Sequence, residues 1–172
     1  MPRGRSSSPY EVISRLLAVE IRVVKYGHPD AVRLVAEVQE EYVGRYGSGD
    51  ASEIAEDHFE LPSGLFAVGY LEGEAVATGA WRALTDLEPG DAEIKRMYVR
   101  GEARGRGLAR EMLRFLERTA REQGRTRMVL ETGDRQPEAV ALYKSEGYMT
   151  IPGFGHYRDH PASISLGKKL PA

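Results

Sequence analysis

The 172-residue chain predicts an α+β domain, a mixed α/β sheet flanked by helices in the order βααβββαβαββ. Segments with strand and helix periodicity alternate without an internal repeat or linker. Glu72-Gly73-Glu74 separates two apolar runs in the manner of a hairpin turn. A Pro opens and a Gly closes several of the helical stretches.

Residues 1–12 read as a loose tail rich in Arg, Ser and Pro, and 13–172 as one domain. Leu17 to Tyr26 reads as a first strand with Val19, Ile21 and Val23 on one face. A helix is expected from Pro29, with Val32, Val35, Val38 and Tyr42 at helical spacing before Gly44 and Gly47. Asp50 to Glu60 reads as a short acidic helix or loop. Leu65 to Leu71 and Ala75 to Arg82 form the hairpin, and Ala92 to Val99 is the next strand. A helix of about five turns follows, with Leu108, Met112, Leu113, Leu116 and Ala120 on one side and Gly124 as its stop. Arg127 to Glu131 is a strand, Pro137 to Ser145 a helix, and Tyr148 to Ile151 and Ser163 to Leu170 close the sheet.

The junction Arg104-Gly105-Arg106-Gly107-Leu108-Ala109 has the chemistry of an anion site. Glycines at 105 and 107 allow positive φ, so that successive N–H groups turn toward one ligand, and the following helix adds its positive end. Arg100, Arg104, Arg106 and Arg110 supply guanidinium groups suited to phosphate oxygens. Arg110 lies in the first helical turn, where a bound anion would offset its conflict with the helix dipole. A pyrophosphate is the expected ligand. Between Arg100 and Arg127 nine arginines face four glutamates, in a chain of net charge −2. Arg114, Arg118 and Arg121 read as a solvated face with Glu partners. The acidic balance and the lack of a clustered aromatic platform argue against nucleic acid.

The chain has no cysteine, which excludes a Cys nucleophile, a thiolate metal site and disulfides. No run of eighteen apolar residues occurs and no signal peptide is evident, so a cytoplasmic protein away from membranes is expected. His156 and His160 lie on a Gly/Pro-rich loop where their spacing fixes no geometry, and no metal site is assigned.

From Leu17 to Leu170 the sequence resembles the GNAT superfamily of acyl-CoA-dependent N-acetyltransferases. Arg104, Gly107 and Ala109 match its signature. Ala92 to Val99 is similar to its fourth strand, and Gln136-Pro137-Glu138-Ala139 with Leu142-Tyr143 and Gly147-Tyr148 to its last helix and following strand. The resemblance implies acetyl-CoA as acyl donor, held by Met97, Tyr98, Val99, Arg104, Gly105, Arg106, Gly107, Leu108, Ala109, Arg110 and Gln136. It implies backbone N–H groups near Met97 to Val99 that hold the pantetheine and the thioester oxygen. It also assigns Tyr143 the general-acid role toward the leaving thiolate, where the residues alone read as a core tyrosine. A homodimer is compatible with it.

An alkylamine is protonated at neutral pH and needs a base before it attacks a thioester. Glu93, on the strand beside the cofactor, is the first choice, with pairing to Lys95 or Arg82 as its bland alternative; Glu131 competes. No nucleophile adjoins an evident base, which favours direct transfer in a ternary complex. The acceptor is expected to be a small-molecule amine rather than a protein. Asp50, Glu53, Glu56, Asp57 and Glu60 would suit a cation; Tyr42, Arg45, Tyr46, Trp81 and Arg82 are pocket candidates, with Arg45 or Arg82 suited to a carboxylate. The loop from Pro152 to Pro161 is a candidate rim. Two other classes compete. A nicotinamide oxidoreductase fails at Arg110 and in the charged strand bearing Glu93, Lys95 and Arg96. A non-catalytic acyl-CoA sensor would bind without turnover.

Overall fold

The computed structural model describes residues 19–172; the expected tail and the start of the expected first strand lie outside them. The elements are β1 (Glu20–Val24), α1 (Pro29–Tyr46), β2 (Gly64–Leu71), β3 (Glu74–Ala83), β4 (Asp91–Val99), α2 (Leu108–Glu122), β5 (Arg127–Gly133), α3 (Pro137–Ser145), β6 (Met149–Thr150) and β7 (Ser163–Lys169), with 3-10 turns at Glu56–Phe59 and Gly101–Ala103. They form one seven-stranded sheet in the order β1-β2-β3-β4-β5-β7-β6. Only β4 and β5 pair in parallel.

Helix α2 buries Leu108, Met112, Leu113, Leu116 and Ala120, the stripe its periodicity predicts, over 15 residues or about four turns. That stripe packs on Leu65, Ala67, Val76, Ala77, Trp81 and Ile94. Helix α1 covers the opposite face with Ala31 and Leu34 against Phe66, Val68 and Ala80. Both faces of the central strands are thus buried.

Three local expectations are corrected, and one open alternative is resolved. Val23 is 55% exposed, because it lies on the edge strand β1 beyond the part where Val19 and Ile21 meet the core. Val32 is equally exposed, and the buried stripe of α1 runs through Ala31, Leu34 and Val38. Asp50 to Glu60, read as a short helix or loop, is a loop with one 3-10 turn. Trp81 is wholly buried and donates from its indole to Thr119 at 3.1 Å, so it lines no pocket.

The feature that positions the site lies in β4. Its ladder with β5 covers only Asp91, Ala92 and Glu93, paired with Arg127, Met128 and Val129. Beyond Glu93 the two strands part. The register with β3 shifts between Thr78 and Ala80, which gives β4 an extra residue, and Arg96 there has φ 57°. A bulge bends its strand away from a straight ladder. Buried Thr78 donates to the Arg96 carbonyl at 2.7 Å, so the bulge leaves that acceptor satisfied.

Candidate active site

Two adjoining cavities open where β4 and β5 part. The smaller, of about 70 Å³, lies in the splay itself between Ile94, Lys95, Arg96 and Met97 on one wall and Leu130, Glu131 and Thr132 on the other. Tyr143 and Ala139 of α3 close its end. The larger, of about 420 Å³, is bounded by Tyr42 and Tyr46 of α1, by the end of β5, and by Tyr157 and His160 of the loop before β7. Tyr42, Asp50, Lys95, Glu131, Thr132 and Gln136 face both.

The Arg-Gly turn stands at the N-terminus of α2. Gly105 and Gly107 have φ of 78° and 79°, and a Cβ on either would meet nothing within 4 Å, so a ligand can approach the backbone there. Gly107 caps α2 without a side-chain hydrogen bond. The amides of Gly105, Arg106 and Gly107 donate to no carbonyl among the described residues, and the first turn of any helix leaves further N–H groups free. This cradle fits the phosphates of an acyl-CoA.

The arginines around it are mostly committed. Arg100 binds Glu37 in a forked pair, and Arg104 donates to the Val99 carbonyl at 2.8 Å and to Glu41 at 2.6 Å. Arg110 pairs with Glu146 at 2.7 Å and Ser145 at 3.1 Å, a protein counter-charge at the place where an anion was expected. Arg114 shares Glu146. Arg106 makes no ion pair among the described residues. The groups left free at this turn are therefore main-chain N–H groups more than guanidinium groups.

Other expected cofactor residues divide by face. Met97 lines the splay, while Tyr98 turns to the α1 side and donates to Glu37 at 3.3 Å. Val99 and Leu108 are core residues and Ala109 packs beside them, so these contribute backbone only. Gln136 lines both cavities and donates to the Tyr46 hydroxyl at 3.3 Å.

Tyr143 is 6% exposed, and its ring meets Tyr148 edge-on at 5.6 Å. Its hydroxyl bonds to no side chain among the described residues, and the residue lines the splay. Burial, with Tyr42 adding, raises the phenol well above its ordinary value. Tyr42 is itself pushed up to about 12, chiefly by burial.

The two candidate carboxylates differ sharply. Glu93 is clamped by Arg82 at 2.9 Å with Lys95 at 3.8 Å, and lines neither cavity. Glu131 lines both, and its Oε1 is buried with no hydrogen-bond partner. Burial pushes its carboxyl up to about 7; Glu93 and Asp50 add to the rise, and Lys95 and the Tyr157 amide oppose it.

Of the five acidic residues from Asp50 to Glu60, only Asp50 reaches the cavities. It binds Lys95 at 2.9 Å and Arg96 at 2.6 Å, a link that no sequence signal announced. Burial alone would raise its carboxyl, but the Lys95 ammonium and the bonds from Ser52 hold it well below the usual carboxylate range. Arg82, tied to Glu93 and the Glu53 carbonyl, and Arg45, tied to Glu41 and Glu138, face neither cavity. Tyr157 and His160 of the expected rim do line the larger cavity.

A splayed strand pair beside an open amide cradle is the arrangement that the resemblance to acyl-CoA-dependent acyltransferases implies. The profile of the Acetyltransferase (GNAT) family matches residues 31–148. An IAA acetyltransferase from Azospirillum brasilense is 32% identical over 142 residues, which is 82% of this chain and 92% of that protein. A structure from Klebsiella pneumoniae described as an acyl-CoA N-acyltransferase superposes with TM-score 0.75 at 28% identity, covering 90% of this chain and 99% of that one. The paia N-acetyltransferase of Thermoplasma acidophilum, solved with coenzyme A, shares the fold with TM-score 0.65 at 14% identity, covering 88% and 99%. The chain belongs to the GNAT acetyltransferase family, whose members take acetyl-CoA as cosubstrate. Among the described residues, no helix is long and apolar enough to cross a membrane.

Proposed function

We propose that the chain acetylates a primary amine bound in the larger cavity, by direct attack in a ternary complex, with Glu131 as base and Tyr143 as proton donor. The observation that carries this reading is the buried, unpartnered Oε1 of Glu131 at the wall shared by the two cavities. Glu93, the first choice from sequence, is held by Arg82 and faces neither cavity, so the base role passes to Glu131.

Acetyl-CoA brings the activated acyl group. Gly105 to Ala109 would hold its phosphates by main-chain N–H groups, and the unpaired β5-facing edge of β4 offers donors for the thioester oxygen. A carboxyl titrating near 7 accepts a proton from an ammonium without being locked in its charged form, the balance a general base needs. Tyr143 stays protonated across the neutral range. A phenol so weakly acidic stabilises a departing thiolate first by donating a hydrogen bond to it. A cavity of about 420 Å³ under a loop suits a small molecule better than a protein segment.

The test is release of free CoA thiol from acetyl-CoA across a panel of amino acids, arylalkylamines and polyamines, with acetyl-CoA and NADPH compared by calorimetric titration. Amine-dependent thiol release with acetyl-CoA binding is expected. Binding without turnover on any amine would favour the sensor reading.

A further inference from the structure

We propose that Tyr157 is a positioning residue: its hydroxyl latches the loop between β6 and β7 onto the segment after α1, and so keeps Glu131 shielded from water. The hydroxyl accepts from the Ala51 amide at 2.7 Å, across 106 positions of sequence. Ala51 adjoins Asp50, which is anchored on β4 by Lys95 and Arg96. The latch therefore ties the loop to a fixed point.

Under the latched loop lies Glu131. A Cβ on Gly155 would stand 2.5 Å from Glu131 Oε1, so the loop backbone passes directly over the carboxyl. The Tyr157 ring is set edge-on to His156, with centroids 4.6 Å apart, and to His160 at 6.3 Å, which orients the hydroxyl toward Ala51. With the loop in place, Oε1 is buried and accepts from no protein donor among the described residues. The charged and titratable groups facing Glu131 are Glu93 and Lys95 from β4, Asp50 from the segment after α1, Tyr42 from α1, Tyr143 from α3, and Tyr157 and His160 from the loop. Loosening the loop admits water and also releases the Tyr157 amide, whose bond lowers the carboxyl; burial is the largest cause of the rise and that bond the smallest, so the carboxyl becomes more acidic.

The inference rests on the base assignment only for its kinetic consequence. The experiment is a 13C NMR titration of Glu-labelled chain, with the Glu131 signal assigned by its loss in Glu131→Gln, in wild type and in Tyr157→Phe. Phe keeps the ring and its packing. The expected result is a Glu131 midpoint near 7 in wild type and lower by about one pH unit or more in Tyr157→Phe, with the rise of kcat with pH moving by the same amount. An unchanged midpoint overturns the latch. A lowered midpoint with an unmoved kcat profile upholds the latch and refutes Glu131 as base.

Discussion

Replacing Glu131 by glutamine should slow catalysis about a hundredfold or more and stabilise the protein at the same time, and the second effect is the sharper. The folded carboxyl titrates near 7 and an ordinary one near 4.5. Below pH 4.5 the group is neutral in both states and costs nothing. Between the two values the unfolded chain releases a proton that the folded chain retains, so stability falls as pH rises. Above pH 7 the ionised carboxylate costs the fold at most about 3 kcal/mol, and solvent screening of this half-buried group brings the cost below that bound. Glutamine removes that cost, because an amide does not ionise. For a domain of this size the gain corresponds to no more than roughly 5–10 °C in Tm at pH 8. Differential scanning calorimetry of both proteins at pH 5 and pH 8 measures it, and the quantity to read is the change in Tm difference between the two pH values. In parallel, kcat of wild type at saturating amine should follow the ionised fraction, about one tenth at pH 6 and about nine tenths at pH 8. Parallel Tm curves for the two proteins would refute the reasoning, since Glu131 would then titrate like a solvated carboxylate.

Tyr143→Phe should lower kcat by about a hundredfold with little change in the KM for acetyl-CoA or in Tm, since no side chain among the described residues bonds its hydroxyl; steady-state kinetics and calorimetry check both. Gly107→Glu meets open space but forces a non-glycine side chain to φ 79°, at about 1–2 kcal/mol; the fold should survive, while the charge placed at the α2 N-terminus abolishes acetyl-CoA binding in a calorimetric titration. Asp91→Asn weakens the forked pair of a fully buried carboxylate with Arg127, bonded at 2.7 and 2.6 Å; the expected loss is about 2 kcal/mol, that of hydrogen bonds to a charged group, read as a lower Tm.

The parts legible in the sequence were those with a local signal. The apolar stripe of α2 is strong because a helix against one sheet face repeats its contacts every 3.6 residues. The hairpin was legible from Glu72-Gly73, which forms a two-residue turn with both φ positive. Edges and buried faces were not. Val23 sits in an alternating pattern, but nothing local reveals that β1 has no neighbour on one side. Both faces of β3 are covered, so alternation there cannot tell whether Trp81 points to a pocket or the core.

The site was half legible for the same reason. The Arg-Gly turn is contiguous and could be read, whereas the carboxylate that faces the cavity depends on partners far apart in sequence. Glu93 is claimed by Arg82 across a strand pair, and Asp50 by Lys95 and Arg96 across 45 and 46 positions. Ionic partners at such separations leave no periodic trace. The buried setting of Glu131 is likewise made by the loop bearing Gly155 and Tyr157, from the far end of the chain.

The central claim is that an amine gives its proton to Glu131 and not to Glu93. Its most direct test is thiol release on the best amine of the panel by Glu131→Gln and Glu93→Gln, each first shown by circular dichroism to be folded and by calorimetry to bind acetyl-CoA. The account predicts that Glu131→Gln loses about a hundredfold or more in kcat and that folded Glu93→Gln keeps most of it. Retained turnover in Glu131→Gln with loss in Glu93→Gln would contradict it.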